Sequence, residues 1–383
     1  MITSPVLIVA LLASICAFFF WLEGKTEWRG FQYFPPLLWI YAVPVVLNNV
    51  GVLPAENAAY DGFSTYALPT FLTLMLLSVD LRSALGTMGR GILVMLVGSV
   101  GVVFGAAIAY ALVGRWLPPD SWQLFGALSG AWIGGTGNMA AVAGGMGLDD
   151  LGLPILADNV VYVVWLPILL QSKRFAVRFN RWAGVDPART ATIEATADTA
   201  SAPTPIEMRH VAYLIAIVAS SIYVSGAVAA RLPEVKPVLS TRTWQTLVLT
   251  TFTLGLSFTR ARLIPGSRPA GLALVYLFLA SMGARATIGG LGDAPVFLGA
   301  AFLWIAIHGL FLVIAARLLR VDLHTAAIAS AANIGGAASG PVVAAHHREA
   351  LVPASILMAL IGYAAGNYLA VLTAQLCYWL SPG

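Results

Sequence analysis

Two glycine-rich passages lie inside long apolar runs of this chain, one in each half, and they restrict the fold more than any other feature. The first runs Ser129-Gly130-Ala131-Trp132-Ile133-Gly134-Gly135-Thr136-Gly137-Asn138. The second runs Ser330-Ala331-Ala332-Asn333-Ile334-Gly335-Gly336-Ala337-Ala338-Ser339-Gly340. Aligned on Ser129 and Ser330, both carry Ile-Gly-Gly at the same offset. Each glycine costs a helix about 1 kcal/mol relative to alanine, so neither passage should hold an unbroken helix. Inside a bilayer, unwound backbone survives only where it is buried in protein or lines a wet cavity. A matched pair of interrupted apolar segments is the sequence pointer to a transporter's binding site.

Composition places the chain in a membrane. Of its 383 residues, 59% are hydrophobic and 10% are charged, with a mean hydropathy of +0.84. Soluble domains carry about 25% charged residues. Twelve apolar segments follow one another at about 5–22, 34–53, 66–84, 91–113, 123–144, 153–171, 209–230, 243–259, 270–288, 295–316, 324–345 and 351–380. Many approach the roughly 20 residues that span a bilayer. The 21 basic residues sit mostly in short loops, where they set topology rather than bind nucleic acid. Cys16 and Cys377 lie in different apolar runs and indicate neither a disulfide framework nor a metal site. The N-terminus has no basic n-region, and residues 5–22 are long for a signal peptide, so they read as a retained first helix.

One break in composition divides the chain. Residues 173–208 open with Lys173, Arg174, Arg178 and Arg181 and end in an Ala/Thr/Pro tract. They read as a flexible cytoplasmic linker without a core of its own. The expected domains are a first repeat at 1–172 and a second at 209–383.

Loop charge then sets the sides of the membrane. Residues 54–65 carry Glu56 and Asp61 and no base, which puts them outside; Arg82 and Arg90 put the next loop inside; the basic linker is also inside. Strict alternation would put the linker outside. The conflict disappears if segment 123–144 is a re-entrant hairpin that enters and leaves by one face. In the second half, Arg260, Arg262 and Arg268 read inside, Asp293 outside, and Arg317 and Arg320 inside. Making 324–345 re-entrant keeps the His346-His347-Arg348-Glu349 loop inside too. Each half then has five spans and one hairpin, and an odd span count makes the halves inverted copies. The alternative is a pair of broken helices that cross fully.

Gly134-Gly135-Thr136-Gly137 resembles the Gly-Gly-X-Gly signature of sodium/glutamate and sodium/citrate symporters, which lies in their re-entrant hairpins. The run Leu74-Met75-Leu76-Leu77-Ser78-Val79-Asp80-Leu81-Arg82 is similar to a segment that recurs among bile-acid symporters, auxin carriers and cation/proton antiporters. Within that superfamily the whole chain, apart from the linker, resembles the YjcL-like group of uncharacterised bacterial integral membrane proteins. The resemblance implies an all-α, inverted-repeat, elevator-type secondary transporter, by analogy a homodimer, and names no substrate. The second passage departs from Gly-Gly-X-Gly, which leaves open the shape of its hairpin tip.

The residues themselves suggest the chemistry. Hairpin tips offer half-helix N-termini whose free N–H groups attract a carboxylate. Unwound carbonyls and side-chain oxygens at the same depth can hold sodium. Gly134, Gly135, Thr136, Gly137, Asn138, Asn333, Gly335, Gly336 and Ser339 are therefore the candidate substrate-binding residues. The competing reading is that these polar side chains only join helices and the glycines only permit close approach.

Ionisable groups at membrane depth point more strongly to function. Asp158, beside Asn159 in the sixth segment, is the candidate for cation or proton coupling. Arg285 is the candidate anchor for an anionic solute, because guanidinium pairs a carboxylate through two donors. It could instead snorkel to the interface, or form a buried ion pair with Asp158. His308 reads as a packed neutral histidine, Asn48, Asn49 and Asn367 have weaker claims, and Asp80 and Arg82 read as local caps.

No Walker loop, metal-ligand spacing or Gly-x-Ser-x-Gly elbow is present in the sequence. The expectation is a multi-pass protein of the inner membrane, not an enzyme. It would move a small solute (a carboxylate-bearing anion, amino acid or short peptide) by sodium or proton symport, with no cofactor beyond sodium itself. Its expected partners are that solute and the lipid bilayer. Sodium/proton antiport through Asp158 is the alternative, and an intramembrane enzyme using Asp158 with His308 a distant one.

Overall fold

The computed structural model describes residues 1–26, 31, 36–79, 89–185, 205–235, 238–285, 292–348 and 351–381. Among these the chain is helical, with one isolated β-bridge between Val235 and Leu239. The first half holds α1 (Pro5–Lys25), α2 (Pro36–Asn49) and α3 (Ala58–Gly62), which runs through a π turn (Phe63–Ala67) into α4 (Leu68–Leu77). Then come α5 (Arg90–Val113), α6 (Trp122–Gly134), α7 (Thr136–Met146) and α8 (Gly152–Ser172), followed by the short α9 (Ala176–Ala183). The second half holds α10 (Met208–Ala229), α11 (Thr241–Ser257), α12 (Ser267–Gly283) and α13 (Ala294–Leu319). It ends with α14 (Leu323–Ile334), α15 (Gly336–His347) and α16 (Val352–Trp379).

Local sequence fixes many of these ends. Ser4 accepts from the Leu7 amide ahead of Pro5 and so starts α1, and the Asp322 carboxylate accepts from Thr325 N to start α14, both as side-chain caps should. Six helices among the described residues are long and apolar enough to cross a membrane. Asp80 and Arg82, expected as local caps, lie outside the described residues.

Both glycine-rich passages are helical hairpins. Gly135, at φ 77° and ψ −179°, separates α6 from α7. The chain then doubles back: a Cβ added at Gly126 would lie 3.3 Å from Met146 Cε, and one at Gly130 would lie 3.1 Å from the Asn138 backbone. The 13 residues of α6 rise only about 20 Å, short of a roughly 30 Å hydrocarbon core. The second hairpin closes in the same way, with His324 Nδ1 and His347 Nδ1 3.0 Å apart at its base.

The helices sort into two groups. In one, α5 packs along α13 and α6 along α16, with both hairpins and α8 against them. Gly98, Gly101 and Gly105 form the α5 face of the first contact, so close to Leu312, Phe311 and Trp304 that an added Cβ would fall within 2.8 Å at Gly98 and 2.6 Å at Gly101. Small residues spaced this way let two backbones approach closely. In the other group, α1 packs on α2 and α12, α4 on α12 and α11, and α10 on α11. The groups meet where α7 touches α4, α11 and α12, and where α16 touches α11.

The expected linker starts later than its charge suggested. Residues 173–183 are helical, and Ala176 and Ala183 are buried against the bundle.

Candidate functional site

The two hairpin tips meet. A Cβ added at Gly336 (φ 58°) would lie 3.9 Å from Gly135 Cα and 3.4 Å from the Tyr363 hydroxyl. Beside them is a cavity of about 150 Å³ lined by Gly135, Thr136 and Gly137 of the first tip, Gly335 and Gly336 of the second, and Asp158 of α8. Tyr363 of α16 closes one side, while Met75 of α4 and Val275 and Tyr276 of α12 close the other. The cavity therefore lies between the two helix groups.

Its electrostatics come from backbone ends and one carboxylate. Helices α7 and α15 both begin at this cavity, and neither has a side-chain cap at its N-terminus. Their first amides present the positive end of two helix dipoles to the same space. The carbonyl end of α6 finishes there too, at Gly134. Asp158 Oδ1 accepts a 2.9 Å hydrogen bond from Trp132 Nε1, and the residue is half-buried. Trp132 is fully buried and packs on Trp304 with ring centroids 4.7 Å apart, which fixes the donor. Among the described residues no basic side chain pairs with Asp158.

The other expected site residues have other work. Asn138, 2% exposed, donates to the Tyr363 carbonyl at 3.0 Å and wedges between Gly134 and Gly366. Asn333 is fully buried: its amide donates to Met95 O at 3.0 Å and its carbonyl accepts from Ser99 at 3.2 Å, tying the second hairpin to α5. Ser339 is buried against Gly335, within hydrogen-bonding reach of the Tyr162 hydroxyl. Asn159 donates back to Ile155 O of its own helix at 2.7 Å. Asn138, Asn333 and Ser339 thus bond to neighbouring helices and Asn159 to its own, and none of the four is among the residues that line the cavity.

Arg285 is not at this cavity either. Its Nη2 lies 2.6 Å from Asp149 Oδ1, in a separate polar cavity of about 390 Å³ that also has Asp61, Ser64, Thr65 and Arg242 on its walls. An Asp158–Arg285 ion pair is therefore absent. His308 is the packed residue expected: its nitrogens lie 2.9 Å from Gly98 O and 3.0 Å from Ser330 Oγ, and Trp165 Nε1 donates to the same hydroxyl at 2.9 Å. Among the secondary candidates, Asn48 donates to Ala284 O at 2.6 Å, and Asn367 to Thr250 at 2.9 Å.

Sequence reasoning missed Tyr363, Tyr276, Met75 and Trp132. One signal existed for Tyr363. The offset that relates Ser129 to Ser330 also relates Tyr162 to Tyr363 and Asn138 to Ser339. The contacts cross over accordingly: Asn138 of the first hairpin reaches α16 at Tyr363, and Ser339 of the second reaches α8 at Tyr162.

Comparison with known proteins agrees with a membrane assignment and adds no substrate. The chain is 29% identical over 345 residues to the uncharacterized membrane protein YjcL of Bacillus subtilis (strain 168), an alignment covering 85% of each protein. A family model described as a protein of unknown function, DUF819, matches residues 10–380. With that match running from the first helix to the last, this multi-pass membrane chain belongs to the DUF819 family.

Proposed function

We infer that the protein is a secondary active transporter of a small carboxylate-bearing solute, driven by symport with sodium or protons. One observation carries the reading: two uncapped helix N-termini and a carboxylate with no basic partner among the described residues converge on one cavity. The amides and dipole ends suit a solute carboxylate. Asp158 and the α6 carbonyl end suit the coupling cation, or Asp158 alone a proton. The cavity, at about 150 Å³, is smaller than the roughly 300 Å³ of ordinary ligand pockets, which favours an amino acid or short organic acid over a peptide.

The arrangement of helices supports an elevator mechanism. Each half carries helices in the same order, with a hairpin at the fifth position, and the charge pattern of the loops gives the halves opposite orientation. The group bearing both hairpins, α5–α8 with α13–α16, would be the moving body. The group of α1–α4 and α10–α12 would be the scaffold, each group moving as a unit when the cavity changes sides.

The test is uptake into proteoliposomes under imposed sodium and proton gradients, with amino acids and short organic acids as solutes. Gradient-driven uptake is expected in the wild type, with Asp158→Asn binding solute but losing the response to the gradient. Movement of protons on addition of sodium alone, without solute, would replace symport by antiport. Full gradient dependence in Asp158→Asn would remove Asp158 from the coupling role.

A further inference from the structure

The segment that follows α8 has a feature the transport reading does not use. Residues 173–183 carry four exposed bases, Lys173, Arg174, Arg178 and Arg181, and no acidic residue stands between Asp158 and Asp186. Phe175, Val177 and Trp182 are also exposed, at 58%, 73% and 53%. At 3.6 residues per turn, Arg174, Arg178 and Arg181 fall within about 60° of one another, and Phe175 and Trp182 lie about 90° round the helix from them. Ala176 and Ala183, both buried, mark the side turned to the bundle.

This short helix runs across the base of the second hairpin. Lys173 Nζ donates to His346 O at 2.6 Å, near the end of α15. Seven residues on, Asn180 Oδ1 accepts from Leu323 N at 2.9 Å, at the start of α14. Those two hairpin ends are side by side, His324 against His347, so the segment, continuing from α8, touches both of them. Arg317 at the end of α13 holds the far end through the Ala183 carbonyl and the Trp182 ring.

We propose that α9 and the turn before it form a binding site for anionic phospholipid headgroups at the membrane surface. The occupant follows from position and charge. The segment follows the 21-residue apolar helix α8, and its four exposed bases suit the headgroup level at the end of that helix. Its three clustered arginines have no partner among the described residues and match a phosphodiester. Phe175 and Trp182 flank them as an apolar edge for the acyl chains, the pattern of an interfacial amphipathic helix. Because the same segment grips both ends of the second hairpin, a bound headgroup would act on the hairpin directly. The binding claim does not depend on what the cavity transports.

The experiment is native mass spectrometry of the full chain in neutral detergent, titrated with phosphatidylglycerol or phosphatidylcholine. Wild type should retain phosphatidylglycerol in preference. R174Q/R178Q/R181Q should weaken that retention on the order of 100-fold, about a factor of five per arginine. Phe175→Ser, which leaves the charges in place, should also lower retention, and glycerol phosphate should not displace the lipid. Equal retention of the two lipids by wild type would overturn the proposal, as would unchanged retention in the triple variant. Displacement by glycerol phosphate would reassign the site to a free phosphate ligand.

Discussion

Gly135→Ala tests the hairpin tip most directly. At φ 77° and ψ −179°, Gly135 sits outside the left-handed helical region in backbone space used almost only by glycine, where a side chain costs about 1–3 kcal/mol. The added methyl would also lie 3.0 Å from Tyr363 Cε1. Forcing a packed ring to give adds roughly 1–3 kcal/mol. The middle of the combined range is about 4 kcal/mol, and at 1.4 kcal/mol per decade the native tip loses about a thousandfold in population. Gly147→Ala is the matched control: its φ of 72° is also positive, but its ψ of 26° is left-handed helical and nothing lies within 4 Å of the new methyl, so its cost stays near 1–2 kcal/mol. Both variants should insert. In proteoliposomes Gly147→Ala should retain uptake and Gly135→Ala should lose it, with a larger fall in melting temperature in detergent. Equal melting losses, or normal uptake by Gly135→Ala, would refute the tip as a packed, strained element of the site.

Other substitutions separate structural from functional roles. Asn333→Ala should lower thermal stability by about 1–3 kcal/mol, since it removes two buried hydrogen bonds, Asn333 to Met95 O and Ser99 Oγ to Asn333, while leaving Ser99 Oγ bonded to Met95 O; a change in ion dependence with stability intact would return Asn333 to the site. Arg285→Lys should leave solute affinity within about twofold, the worth of a part-exposed ion pair; a tenfold loss in equilibrium binding would bring Arg285 to the inner cavity. Gly299→Ala, inside α13 with nothing within 4 Å, should raise stability by roughly 0.4–1 kcal/mol, and a falling melting temperature would show an unrecognised contact.

Element identity was legible because apolar runs of membrane length have few alternatives. The hairpins were legible because Gly134-Gly135 and Gly335-Gly336 interrupt otherwise apolar helix, and loop charges could be reconciled only if each segment doubled back. Asp158 stood out for the same reason of scarcity: a carboxylate inside an apolar run is conspicuous. Asn138 and Asn333 were harder to place, because an amide near a glycine pair looks the same whether it faces solute or ties helices together. The deciding partners, Tyr363 O and Met95 O, are 225 and 238 residues away in sequence. Arg285 was misdirected by its apolar surroundings, since the acid that pairs it, Asp149, belongs to a loop in the other half. Trp132 gave no signal in the sequence, because only its indole N–H, donating to Asp158, carries the information.

Both halves carry a glycine-broken helical hairpin, and the two hairpins differ in their chemistry. The offset that superposes the hairpins carries Asp158 onto Ala359 and Trp132 onto Asn333. One half therefore supplies the carboxylate together with its fixed donor, and the other supplies neither. In exchange, the second hairpin is held by Asn333 to α5 and by Lys173 and Asn180 at its base. Two equivalent tips would give a cavity with no preferred side for a cation. With a single carboxylate beside the first tip, the proposed cation and solute would be held at different edges of the same space, and the Trp132 bond ties the position of that charge to the first hairpin. A solute carboxylate on the helix N-termini would then be separated from Asp158 only by the coupling cation or proton, which lowers their mutual repulsion. On the proposed transport reading, that dependence would be the physical content of symport: solute would be accepted well only when Asp158 is neutralised, at a cost that the solute's charge would offset.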